Sequence, residues 1–152
     1  MTEIARISDQ LKHAFEGGAW HGPAVKEVLK GVTAVQAAQK PIPKAHSVWE
    51  LVLHIAVWEN AVKKWLSGDL SFKVSDEEDW QPVKDTGDAA WEKTLSNLEK
   101  GHMELRETIS RLSDSELDKV LKKATVYDLL IGIIQHDLYH AGQIAILKKA
   151  FQ

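Results

Sequence analysis

Apolar residues recur at three- and four-residue intervals in four long segments, and the glycines, prolines and hydroxyl residues that interrupt the pattern fall between those segments. A chain patterned this way buries its apolar stripes helix against helix, so the spacing predicts an all-α domain built as a four-helix bundle. The first segment runs from about Thr2 to Phe15, pauses at Gly17-Gly18 and resumes from Gly22 to about Leu29, with Pro23 tolerated in a first turn. The second opens at Ser47 with Glu50 three residues on, a capping box that occupies two otherwise orphaned backbone N–H groups, and it stops at Ser67-Gly68. The third starts near Thr86 or Asp88 and reaches about Leu112; its acidic opening suits the positive end of a helix. The fourth starts at Thr125, has Asp128 three residues on, and closes with Lys148 and Lys149, where the helix dipole favours cations.

The links constrain the order of directions. About 20 residues separate the second and third segments, against about 2–8 between antiparallel neighbours in a bundle. A link that long lets the two helices run parallel, so an up-down-down-up order is expected. The length of 152 residues suits one domain, 1–152. Within the long link, the acidic run Asp76-Glu77-Glu78-Asp79 reads as a solvated loop.

Composition removes whole classes of chemistry. Cysteine is absent, which excludes disulfides, thiolate metal sites and a cysteine nucleophile, so any metal must be held by His, Asp or Glu. A net charge of -3 leaves no basic field for a phosphate backbone, and nucleic acid is not an expected partner. The longest apolar stretches, Trp49–Trp58 and Val126–Ile134, are interrupted by Glu50, His54 and Asp128 and fall short of the roughly 20 residues of a membrane span. The N-terminal segment has no continuous apolar core of the signal-peptide kind, so no membrane association and a cytoplasmic location are expected. Gly-rich phosphate loops and the Gly-x-Ser-x-Gly elbow are missing too.

Among seven histidines, three stand out. On a helix, His136 and His140 lie about 40° apart on one face, one turn above the other, where two imidazoles can share an ion. Two histidines at the edge of a buried stripe would look the same. His54 shares its face with Leu51, Trp58, Ala61, Val62 and Trp65, and an unpaired polar group there would cost about 1–3 kcal/mol. A hydrogen bond satisfies a lone core histidine as well as a metal does. Taken together, the three neutral imidazoles can form a three-nitrogen site with open coordination positions.

His136-Asp137-Leu138-Tyr139-His140 is also a near miss to the metalloprotease pattern His-Glu-x-x-His, with a shorter Asp in place of the general-base Glu. Asp137 fits a helix-packing or supporting hydrogen bond to the histidines instead. His13, His46 and His102 lie in polar surroundings and are expected at the surface. His21 follows Trp20 at the break in the first helix and can either line a cleft or sit at the surface. Of six tryptophans, most are expected in the core; Trp58, one turn from His54, is the candidate pocket wall and Trp80 a candidate lid. Gln143 shares the face of His136 and His140 and can bond a ligand or neighbouring backbone.

His46–Ala56 (HSVWELVLHIA), Gln135–Ile144 (QHDLYHAGQI) and Trp20-His21-Gly22-Pro23 resemble segments of the DinB/YfiT-like superfamily of metal-dependent proteins. The resemblance covers essentially the whole chain. It implies an up-down-down-up bundle, commonly a homodimer, with a divalent metal held by His54, His136 and His140. Zinc or nickel is the expected ion, with iron or manganese as further options, since imidazoles suit several borderline metals. Some relatives are S-transferases or isomerases that use bacillithiol, mycothiol or a related low-molecular-weight thiol. The expected function is transfer of such a thiol to an electrophilic small-molecule substrate, with Trp58, Tyr139, Gln143 and His21 as pocket candidates. A metal-dependent hydrolase and a non-catalytic binding module with a structural metal are the alternatives. No catalytic residue is assigned.

Overall fold

The computed structural model describes residues 1–151. Four long helices carry the fold: α1 (Glu3–Glu16), α4 (Val48–Leu66), α6 (Asp88–Ser110) and α7 (Val126–Lys149). Short helices α2 (Val25–Leu29), α3 (Ala34–Ala38) and α5 (Asp76–Asp79) lie in the links, and a two-residue hairpin, β1 (Val120–Leu121) with β2 (Ala124–Thr125), precedes α7. The fold is therefore all-α, apart from that hairpin. Local caps set the long boundaries. Ser47 Oγ accepts from Glu50 N at 3.1 Å while Glu50 Oε2 accepts from Ser47 N at 2.8 Å, and Thr125 Oγ1 accepts from Asp128 N at 3.0 Å. Gly17 ends α1 at φ +138, and a Cβ there would lie 3.0 Å from the Glu27 carboxyl, which itself receives Ala24 N.

Two short helices, α3 and α5, went beyond the helical periodicity because each is under two turns long, whereas α2 falls within the short helix expected from Gly22 to about Leu29. α3 and α5 are instead specified by capping boxes, Thr33 with Gln36 and Ser75 with Glu78. The acidic run is thus one helical turn rather than a plain solvated loop, and its last residue, Asp79, turns inward.

α1 and α4 each pack against both α6 and α7. Trp49 Nε1 donates to Thr94 Oγ1, Glu59 meets His102 and Lys63 meets Glu104, so contact positions rise together along α4 and α6. Those two helices run parallel, as a 21-residue link permits. The backbone N–H groups of Glu3 and Ile4 reach Asp114, beyond the end of α6, while Glu16 pairs with Arg106, so α1 runs against α6.

Two apolar clusters fill the interior. One holds Phe15, Val52, Ile55, Leu98, Ala141 and Ile144; the other holds Leu11, Val62, Leu105, Ile109, Leu130 and Ile134. Between them, one helical turn from each, lies a polar layer: Glu59 between Ile55 and Val62, His102 between Leu98 and Leu105, Asp137 between Ile134 and Ala141. The histidine centre borders this layer.

Candidate metal centre

α4 contributes His54 and α7 contributes His136 and His140, and one ring nitrogen from each lies within 4.8 Å of the others. The ring centroids are 4.9, 4.7 and 4.5 Å apart for the pairs His54–His136, His54–His140 and His136–His140. His54 and His140 are buried and His136 is half-buried. Burial holds the His140 pKa below the ordinary histidine value, against a smaller opposing effect of Gln143, so its ring is neutral and able to act as a ligand near pH 7.

Supporting hydrogen bonds orient two of the three rings. His54 Nδ1 lies 2.9 Å from the Asp79 carbonyl oxygen and 3.0 Å from its Oδ1. His140 Nδ1 lies 2.6 Å from Gln143 Oε1. Each acceptor places the proton on Nδ1 and leaves the Nε2 lone pair facing the centre, the arrangement that raises the basicity of a metal-bound imidazole. His54 Nε2 and His136 Nε2 are 3.0 Å apart. With the His136 proton on Nδ1, the side facing Asp137 Oδ1 at 3.7 Å, two lone pairs meet there, and a cation between them resolves the repulsion. Two nitrogens each about 2.1 Å from one ion, at roughly 90–110°, are separated by about 3.0–3.4 Å. The donor set therefore fits a divalent metal.

Aromatic rings enclose this centre. Trp80 stacks on His54 at 3.9 Å and on the opposite side receives His46 at 3.5 Å. Trp58 stands edge-on, 6.3 Å from His54 and 6.2 Å from His136, and its Nε1 donates to Asp79 Oδ1 at 2.7 Å. Asp79 thus ties the aromatic wall to the ligand, a role hidden from a reading that treated the acidic run as solvent-facing. Tyr139 is exposed, with its ring 5.2 Å from His140. His21 is exposed in the turn before α2 and, among the described residues, takes no part in the ring contacts of the centre. Trp49 and Trp91 are core residues, whereas Trp20 is fully exposed.

His102 corrects a surface assignment. It is 1 % exposed, stacked on Phe15 at 3.8 Å, with Nδ1 2.7 Å from Glu59 Oε1. Its position was legible in the apolar residues at −4, +3 and +7 (Leu98, Leu105, Ile109), which outweigh its polar sequence neighbours. Glu59 and Asp137 occupy equivalent stripe positions and were missed as site residues for the same reason. Burial pushes Glu59 up to about 8, and burial together with the Glu59 charge holds Asp137 well above the usual carboxylate range. Burial, with the nearby Arg106 charge, lowers His102 to about 4. Asp137 points into the core rather than into the three-histidine centre's open side, which removes the protease-like use of His136–His140.

A helical bundle with three imidazoles converging between two of its helices defines a class of histidine-centred bundle proteins. The chain belongs to the DinB superfamily, whose family model matches residues 19–144, a span that includes all three histidines and Gln143. Neither the curated proteins nor the solved structures give a significant match.

Proposed function

We propose that the protein is a metal-dependent enzyme that transfers a low-molecular-weight thiol to an electrophilic small molecule. The observation that carries this reading is the make-up of the donor set: the converging ligands His54, His136 and His140 are all imidazoles, which bring no negative charge to a metal, so a bound divalent ion would keep its full charge and favour an anionic fourth ligand. Zinc or nickel is the proposed ion, with iron or manganese as further options. When bound, the metal supplies Lewis acidity that lowers the pKa of a coordinated thiol. The thiol proton leaves to solvent, the sulfur forms a bond to the electrophilic carbon, and the leaving group departs with its electron pair.

The chain's own residues orient and enclose. Asp79 and Gln143 hold the His54 and His140 rings, while Trp58 and Trp80 exclude water from one side. A cavity of about 340 Å³ adjoins the centre through Gln143 and His46; Leu51, Ile146 and Leu147 give it apolar walls and Lys44 a cationic rim. That lining suits a small molecule with an apolar body and an anionic group.

The test is optical. Cobalt-loaded protein given bacillithiol, mycothiol or glutathione should develop sulfur-to-metal charge-transfer bands, and the His54→Ala protein should not. If no thiol perturbs the spectrum while a simple ester or amide is turned over, the same centre serves hydrolysis. If neither occurs and no coordination position exchanges, the metal is structural.

A further inference from the structure

We propose that Glu59, His102 and Asp137 form a second divalent-cation site behind the three-histidine centre, so that the bundle core is built to hold two ions. One donor atom from each of these residues lies within 4.8 Å of the others, on three different helices, and the three side chains are 1 %, 1 % and 0 % exposed. Both oxygens of Asp137, Glu59 Oε2 and His102 Nε2 have no hydrogen-bond partner among the described residues. Buried polar atoms are nearly always paired, and each unpaired one costs about 1–3 kcal/mol. The contact of His102 Nδ1 with Glu59 Oε1 at 2.7 Å satisfies one oxygen, and with both carboxyls ionised it leaves Asp137 without a donor.

Charge points the same way. An ion entering the layer displaces the carboxyl protons, and the two carboxylates and neutral imidazole then sum to −2, which a divalent cation cancels inside a dry core where an unpaired carboxylate is costly. Protonation alone is a partial solution: an O–H on Asp137 can donate to the Glu59 carboxyl, but the second Asp137 oxygen and His102 Nε2 are still left without a partner. The oxygen-rich donor set favours manganese or iron(II) over the softer ions suited to three imidazoles. The two sites abut, since His136 Nδ1 is 3.7 Å from Asp137 Oδ1 and is itself buried without a hydrogen-bond partner. Bundle cores accommodate such paired sites when carboxylates and histidines project inward from facing helices. The inference is independent of the thiol chemistry proposed above.

The experiment uses the full chain, stripped with a chelator and dialysed against Mn²⁺, with bound metal read by elemental analysis and electron paramagnetic resonance. A His54→Ala/His140→Ala protein, in which the histidine centre is disabled, should still bind one Mn²⁺ per chain. Adding Glu59→Gln and Asp137→Asn should abolish that equivalent, with circular dichroism reporting that the helices persist. Wild-type protein should bind one more Mn²⁺ per chain than the Glu59→Gln/Asp137→Asn protein, whose histidine centre is intact. If the protein with the disabled histidine centre binds no Mn²⁺, or if its equivalent survives loss of both carboxylates, the second site does not exist. Should the combined variants fail to fold, a Mn²⁺ stoichiometry that stays at the wild-type value in both Glu59→Gln and Asp137→Asn alone overturns the assignment equally.

Discussion

Replacing Glu59 by Gln should change how the metal-free protein responds to pH more than it changes the fold. In the folded chain the Glu59 carboxyl titrates at about 8 because burial disfavours its anion, against 4.5 for an ordinary glutamate. Its folded pKa is raised, so the stability it contributes is present below the unfolded value and is lost as pH rises through 8. The unfolded chain has released this proton by pH 6.5 and the folded chain still holds it, so stability falls with pH across that range. At about 1.4 kcal/mol per pKa unit, the loss attributable to Glu59 between pH 6.5 and 8 is about 1.5–2 kcal/mol. In a chain this size that is roughly 3–8 °C in Tm.

Asp137, also raised, pulls in the same direction. His102 and His140 have lowered values, so their contributions are full only above the ordinary histidine pKa and begin to decline at the acid end of this range, equally in both proteins. Gln keeps the shape of Glu59 and can still meet His102, but it cannot ionise. Urea denaturation in chelator at pH 6.5, 7, 7.5 and 8 should show a falling free energy for wild type, a markedly shallower fall for Glu59→Gln, and unchanged m values. Parallel pH slopes for the two proteins would refute the reasoning, because the buried carboxyl would then not be the titrating group.

Three further outcomes follow from the histidine centre and the surface. His54→Ala, His136→Ala and His140→Ala should each greatly reduce zinc or nickel occupancy, and wild-type affinity should weaken as pH drops below roughly 6.5 because the ligands must be neutral; elemental analysis at graded pH checks both. Gln143→Ala removes the acceptor of His140 Nδ1 and should weaken metal affinity by about 10–100-fold without abolishing it, as a competition titration with a chromophoric chelator would measure. We propose that the chain pairs as a homodimer, as the family resemblance implies; it should appear in light scattering at tens of micromolar, and Ile146→Glu, at an exposed apolar position on α7 beside the cavity, should shift the equilibrium toward monomer.

Local patterning determined the helical class and the ends of the long helices. Capping boxes at Ser47 and Thr125 and the stop at Gly17 are written in a few consecutive residues, and a cap works the same way whatever packs above it. The stripe around His54 and the four-residue spacing of His136 and His140 were equally local, because helical geometry alone puts such residues on one face. Tertiary structure decided what those faces meet. Asp79 is an acidic residue in an acidic run until the link folds it over α4, where His54 and Trp58 both donate to it. His102 looks polar from its neighbours along the chain, yet the α1–α6 packing seals it beneath Phe15. Glu59, His102 and Asp137 lie 43 and 35 positions apart in succession. They become one buried layer only because parallel α4 and α6 share a register against α7, and no spacing rule within a single helix encodes a register between helices.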